Sequence, residues 1–347
     1  MKPLISISTR LLTNVEALNM VESIGNVTRH RRATIILQTE RGYRKVEVPC
    51  LSGEAVAHAY QEALVQTAKV IYTHEGLEPP ICDWCRRGEF FKSMDNAHTM
   101  PRVKSAIKGL EGPELAYAFE KEVINGCLVE DIGGFLRAER PPVKRTSRFQ
   151  VGYLVPTADA IESTALESQF HVRHAASEAV RGAERAAQMI YYVETGSAVY
   201  GLCFNLDIGG IGETSMVKVE QVLDKEERMR RIRTALGGLL LLLSSKFFGA
   251  KRTRFLPIIE VKSIVAGISK PIGFTVEPPN IANFVEETKA KADGFRKILE
   301  RLKIKEELEL YAYSSEVEVP EGVIKTSSVE ELLERLTIKT MEMVEES

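Results

Sequence analysis

Hydrophobic and polar residues alternate through Ile5-Ser6-Ile7-Ser8-Thr9-Arg10-Leu11, the two-residue period of a strand. Residues 14–26 mix Val15, Leu18, Met20 and Ile24 with polar neighbours and read as a short helix or a compact polar loop. Two β-rich runs, 34–39 and 43–48, flank Glu40-Arg41-Gly42 and predict a hairpin. Ser52-Gly53 then opens a helix to about residue 73, because Ser is a good N-cap and Ala55, Val56, Ala59, Tyr60, Ala63 and Leu64 share one face. The pattern breaks over 73–113, which holds Pro79-Pro80, Cys82, Trp84, Cys85 and several glycines, and this stretch reads as an insertion or flexible arm.

Beyond it the periodicity predicts a helix over 114–125, a basic loop with Pro141-Pro142 over 137–150, and a strand over 149–155. A strand pair, 188–194 and 198–206, is expected around Thr195-Gly196-Ser197. A long helix over 224–245, a basic loop over 249–254 and a strand over 255–265 follow. The C-terminal part predicts a charged helix over 281–302, a short strand over 308–313 and a last helix over 329–337. The class is α+β, and strand, helix, strand pair, helix, strand is the order of a ferredoxin-like unit, here interrupted by insertions.

Composition adds bounds. The 347 residues are 44% hydrophobic and 27% charged, an ordinary globular balance with room for a large core. The longest apolar run, 239–243, is far short of the roughly 20 residues of a membrane span, so no membrane association is expected. Five cysteines do not form a disulfide framework, and a cytoplasmic setting is expected.

The formal net charge of −2 argues against nucleic acid when read as an average. It is unevenly placed. Residues 305–347 carry twelve acidic and four basic side chains, which leaves the rest of the chain with a positive excess. Positive charge also gathers locally. Arg29, Arg31, Arg32, Arg41, Arg44 and Lys45 stand against Glu40 alone. Arg137, Arg140, Lys144, Arg145 and Arg148 stand against Glu139 alone, and Lys246, Lys251, Arg252 and Arg254 have no acid among them. Each cluster flanks an expected strand, so all three can converge on one groove, where cations neutralise phosphates. Phe149, Phe170, Phe247 and Phe248 lie near them as candidate stacking surfaces for bases. The helix start at Ser52-Gly53 offers free amides to a phosphate.

Other chemistry is sparser. There is no G-x-x-x-x-G-K-[ST] stretch, and Gly209-Gly210-Ile211-Gly212 lacks the last glycine of a dinucleotide fingerprint. Cys82-Asp83-Trp84-Cys85 has the spacing of two zinc thiolates; His74 and His98 complete a four-ligand set, with Cys127 also nearby in sequence. A pair of ordinary cysteines in a mobile arm, or a disulfide if the host is hyperthermophilic, is the alternative reading. His30 and His171 are either an acid–base pair for RNA cleavage or donors to phosphate.

Five segments, taken in order, resemble one known family: Asn14 through Ala33 (NVEALNMVESIGNVTRHRRA), Leu51 through Gln61 (LSGEAVAHAYQ), Ile132-Gly133-Gly134-Phe135 with Val143 through Arg148, Gln169 through Arg173 (QFHVR), and Gly249 through Pro257 (GAKRTRFLP). The chain resembles the DevR-type backbone subunit of archaeal type I-A Cascade, the CRISPR RNA-guided DNA surveillance complex.

The resemblance implies a right-hand shape: an RRM/ferredoxin-like palm, mainly 1–72 and 114–270, a finger-like insertion over 73–113, thumb-like loops, and C-terminal helices with an acidic tail over 271–347. It implies copies of the chain polymerised along crRNA for antiviral defence, with a small backbone partner, a large subunit, a helicase/nuclease and target DNA. No catalytic residue is implied, and no cofactor beyond the zinc idea is required. An endoribonuclease that processes CRISPR RNA without metal is the rival, and a zinc enzyme centred on Cys82 and Cys85 a third reading. In the backbone-subunit reading His30, Arg31, Ser52, Gly53, Lys144, Arg145, Arg148, His171, Arg173, Lys251, Arg252 and Arg254 line an RNA groove.

Overall fold

The computed structural model describes residues 3–173 and 189–345, with the backbone alone at Arg173 and Met189. The chain opens with β1 (Leu4–Glu16), β2 (Met20–Ile24), β3 (Val27–His30), β4 (Arg32–Thr39) and β5 (Gly42–Pro49). Helices α1 (Gly53–His74), α2 (Asp83–Arg86), α3 (Pro101–Ala106), α4 (Gly112–Gly126) and α5 (Leu128–Gly133) follow. Next are β6 (Phe135–Arg137), β7 (Val143–Arg145), β8 (Phe149–Val151), β9 (Val155–Pro156), β10 (Ala165–Arg173) and β11 (Met189–Asp207). The remainder is β12 (Glu213–Thr214), β13 (Glu220–Gln221), α6 (Lys225–Leu243), β14 (Ile258–Lys270), α7 (Phe284–Arg301), β15 (Glu307–Ser314), β16 (Ile324–Lys325) and α8 (Val329–Glu345).

The main sheet runs β16-β15-β14-β1-β11-β3-β2, with β8, β9 and β10 also paired to β11. At its centre β14, β1, β11 and the β8–β9 segment are all antiparallel. The alternation seen from Ile5 sorts side chains between two faces. Ile5, Ile7 and Leu11 of β1 and Ile264, Ala266 and Ile268 of β14 join one core with α1, α6 and α8. On the opposite face Val265 joins Phe274, Val276, Phe284, Val285 and Ala292, beneath α7. The sheet is therefore sandwiched between helical layers, as apolar faces on both sides require.

Helix α1 starts where the sequence places it. The Ser52 hydroxyl accepts from the Ala55 amide at 3.2 Å, and Val56, Ala59, Tyr60, Ala63 and Leu64 are buried. It packs on α6, whose Gly238 lets Tyr60 approach: a Cβ there would lie 2.9 Å from that ring. The Tyr60 hydroxyl donates to the Ala235 carbonyl at 2.9 Å, and its ring meets Phe149 and Phe204 edge-on. Hairpin β4–β5 forms as predicted, as a separate two-stranded sheet.

Four expectations are corrected. Residues 14–26 are neither helix nor loop: β1 continues to Glu16 through a bulge, and β2 follows. The expected turn at Thr195-Gly196-Ser197 lies inside the single 19-residue strand β11. Gly196 is there because a Cβ would come within 2.6 Å of the Glu16 carboxylate, a close approach and not a turn. The hairpin partner of β11 is β10, from Ala165 opposite Ser197 to Arg173 opposite Met189, which the sequence reading lacked. Strand β14 starts three residues later than expected, at Ile258, because 251–255 is a turn in which Phe255 N donates to Lys251 O at 3.1 Å.

Candidate nucleic-acid interface

The three basic clusters have different fates. In the first, Arg32 pairs with Glu47 and Glu194 at 2.9 and 2.8 Å, and Arg44 with Glu162 at 2.8 Å. Arg31 has no ion-pair partner among the described residues, and its Nε is buried without a hydrogen bond. In the second, Arg145 is interior. It pairs with Asp131 and with Glu120, and donates to the Asp131 and Gly210 carbonyls at 2.8 and 3.1 Å. Arg148 leans on Asp207 at 3.3 Å. Lys144 alone of these three is exposed.

The third cluster is different. Lys251 and Arg254 are exposed, Arg252 half-buried, and none has a carboxylate partner among the described residues. The loop is held by Leu18. The Ala250 amide donates to the Leu18 carbonyl at 2.7 Å, and Gly249, at φ +82°, sits where a Cβ would be 2.6 Å from that of Leu18. A cleft of about 390 Å³ opens between this loop and the start of α1, lined by Asn19, Ala55, His58, Phe247, Ala250 and Arg252. A second cleft of about 260 Å³ continues on the other side of the same loop, against Tyr191 and Val193. His171 packs on two residues that line it, stacked on Tyr191 with centroids 5.1 Å apart and edge-on to Phe255 at 5.5 Å.

Lys251, Arg252 and Arg254 thus line two clefts on either side of one loop, with His171 behind Tyr191 and Phe255 and the buried Ser52 at the start of α1. Ser52 contributes through structure, since its hydroxyl caps α1. Gly53 is packed tightly, with Val151 O 3.0 Å from where a Cβ would be. The side chain of Arg173 lies outside the described residues.

His30 and Arg145 are corrected from groove residues to internal ones. The His30 ring is fully buried. Its Nδ1 lies 2.8 Å from the Arg31 carbonyl and its Nε2 2.6 Å from Glu16 Oε1. Burial pulls its pKa down, but the Glu16 carboxylate more than offsets this and the pKa is raised. It cannot reach a substrate as acid or base while sealed there. For Arg145, burial lowers the pKa against the pull of Asp131. Two expected stacking surfaces, Phe149 and Phe248, are in the core, whereas Phe170 is 56% exposed.

The family model described as CRISPR-associated negative auto-regulator DevR/Csa2 matches residues 7–289. The chain belongs to the DevR/Csa2 family. It is 38% identical over 343 residues to the CRISPR-associated aCascade subunit Cas7/Csa2 2 of Saccharolobus solfataricus, covering 96% of this chain and 99% of the relative. It is 27% identical to CRISPR-associated protein Cas7/Cst2/DevR of Methanocaldococcus jannaschii, over 96% and 98% of the two chains. A chain of a solved structure, "CRISPR RNA-guided surveillance complex, pre-nicking", shares the fold with a TM-score of 0.56 at 9% identity, covering 97% and 99%.

In this DevR/Csa2 chain the residues that organise the surface were not legible as such. Asn19 accepts from the Arg31 amide through its carbonyl at 2.8 Å and from the Ser52 amide through Oδ1 at 2.9 Å, so one residue ties Arg31 to the start of α1. Glu194 accepts from the His30 amide at 2.9 Å. The expected metal set is also corrected. His74 is exposed at the end of α1, and His98 is held by Asp95 at 2.7 Å and tilted against Trp84. The groups beside Cys82 and Cys85 are Cys127 and Glu130. No helix among the described residues is long and apolar enough to cross a membrane.

Proposed function

We propose that this chain is a non-catalytic backbone subunit of a type I-A CRISPR surveillance complex, holding crRNA by sequence-independent phosphate contacts. The observation that carries the reading is the loop of Lys251, Arg252 and Arg254, free of carboxylate partners among the described residues and flanked by two clefts. Phosphate contacts position a strand without reading it, which leaves target recognition to base pairing between guide and DNA. Exposed Phe170 packs on Tyr192, on the face of the β10–β11 hairpin opposite His171, and is a second candidate stacking surface away from the loop. The antiparallel order β14-β1-β11-β8, with α1 and α6 on one face, supports the RRM/ferredoxin-like palm, and the β10–β11 hairpin the thumb. In this reading copies of the chain follow one another along the crRNA, beside a small backbone partner, a large subunit and a helicase/nuclease. The sealed His30 supports the absence of acid–base cleavage.

The test is a gel shift with crRNA over a salt series. Binding is expected to weaken steeply as salt rises, because released counterions drive phosphate contacts. Absent or salt-insensitive binding overturns the reading. Precursor CRISPR RNA incubated with the protein is expected to stay intact, whereas specific cleavage would restore the endoribonuclease.

A further inference from the structure

Away from the RNA surface, two short helices begin on cysteines. Cys82 is the N-cap of α2 and Cys85 lies three residues on; Cys127 is the N-cap of α5 and Glu130 lies three residues on. The spacing C-x-x-C in the arm is matched by C-x-x-E at the end of α4. Residues three apart across a helix start share one side, so each segment presents two donor groups. The two segments are joined directly, since the Leu128 amide donates to the Pro80 carbonyl at 2.8 Å.

The result is a set of four buried donors whose ligand atoms all lie within 4.8 Å of one another. In a tetrahedral zinc site with Zn–S bonds of about 2.3 Å, sulfurs stand about 3.8 Å apart, so a small closing of the side chains suffices. All the cysteines are free thiols. A cluster of core thiols would account for three of the four groups but not for the carboxylate. Glu130 is completely buried; its Oε2 accepts from the Ser93 amide at 2.7 Å, while its Oε1 has no partner. A buried carboxylate oxygen without a partner is costly unless something cationic meets it. The nearby Lys92 ammonium, bonded to the Gly133 carbonyl at 2.8 Å, adds positive charge against a set of three thiolates and a carboxylate.

We propose that Cys82, Cys85, Cys127 and Glu130 bind one structural zinc ion that staples the 73–113 arm to α5. The site is closed: four protein donors and full burial leave no open position for substrate, which separates it from a catalytic zinc. Helix α5 also carries Asp131, the partner of Arg145 and Arg231, so the metal fixes the arm to the most heavily ion-paired part of the interior.

The test is metal content of the full chain purified without chelator, together with cobalt(II) titration of the demetallated protein. About one zinc per chain is expected, with a thiolate-to-cobalt charge-transfer band. Cys127→Ser should abolish both. Glu130→Gln, which keeps the shape of the side chain, should weaken metal binding on the order of tenfold or more. His74→Ala and His98→Ala should leave the stoichiometry unchanged. A wild-type chain that holds little zinc and gives no cobalt band overturns the proposal. So does loss of metal in a histidine variant with Glu130→Gln unaffected, or a thiol titration in denaturant showing a disulfide among these cysteines.

Discussion

Glu16 Oε1 lies 2.6 Å from His30 Nε2, and neither side chain touches solvent. Around that contact the Tyr200 hydroxyl donates to Glu16 Oε1 at 2.8 Å and the Leu18 amide to Oε2 at 2.7 Å. The Arg31 carbonyl can only accept, so Nδ1 carries a proton, and Nε2 faces a carboxylate. Burial disfavours a charged ring, while the Glu16 carboxylate, the Arg31 carbonyl and Glu194 favour it, and the pKa is raised.

That raised pKa makes stability depend on pH in a defined sense. The folded pKa stands above 6.5, so the pair's contribution is complete below 6.5 and is lost as pH rises through the folded value. Urea melts of wild type and His30→Gln should differ most in acid, by about 3–5 kcal/mol for a broken buried pair. The gap should narrow with rising pH; a gap that widens instead would show a neutral ring.

Asp131 joins two buried guanidiniums, those of Arg145 and Arg231, and accepts from the Gly212 amide at 3.1 Å. Asp131→Asn removes the carboxylate the two cations share and leaves Arg145 with Glu120 and Arg231 with Glu227. A loss of about 3–5 kcal/mol is expected by chemical denaturation, and a loss below about 1 kcal/mol would mean that the remaining partners of each arginine suffice.

Lys251→Ala and Arg254→Ala should each weaken crRNA binding uniformly across guide sequences. Each should also flatten the slope of log affinity against log salt by about 0.7, the value for one phosphate contact on a single strand. Arg145→Lys is the contrast: its partners are internal, so its effect belongs to stability, and an unchanged salt slope is expected.

Gly249→Ala places a methyl against Leu18 and forces a left-handed backbone on an L-residue. A stability loss of about 1–3 kcal/mol is expected for the strain, with weaker RNA binding as the Lys251–Arg254 loop moves.

Local signals were readable and remote ones were not. Ser52 announces its helix because a cap acts on the amide three residues away, and hairpin β4–β5 is legible from its own two runs. Arg145 was misread because the acids that neutralise it, Glu120 and Asp131, sit in other elements; a basic cluster in sequence looks alike whether it faces water or a buried carboxylate. Gly196 was misread because a glycine admitting a neighbour's side chain has the same letter as one making a turn. For the metal candidates, C-x-x-C was visible, but C-x-x-E at 127–130 became its counterpart only when the Pro80–Leu128 contact brought the two segments together. Strand β10 carried a signal, the apolar Leu166, Phe170 and Val172 alternating with polar Glu167, Gln169 and His171, weakened by Ser168 at an apolar position.

Strand β11 has a mechanical consequence. It is one uninterrupted element about 60 Å long at the usual rise per residue. Its inner half is clamped between β1 and β8, while its outer half carries β10 and, through Tyr192 and Val193, β3. Along its length it touches the cleft at Tyr191, the His30 amide at Glu194 and Glu16 at Gly196 and Tyr200. A load applied to the hairpin therefore arrives at the buried Glu16–His30 pair without passing through any loop. The hairpin is a lever, and the Glu16–His30 pair is set at its fulcrum.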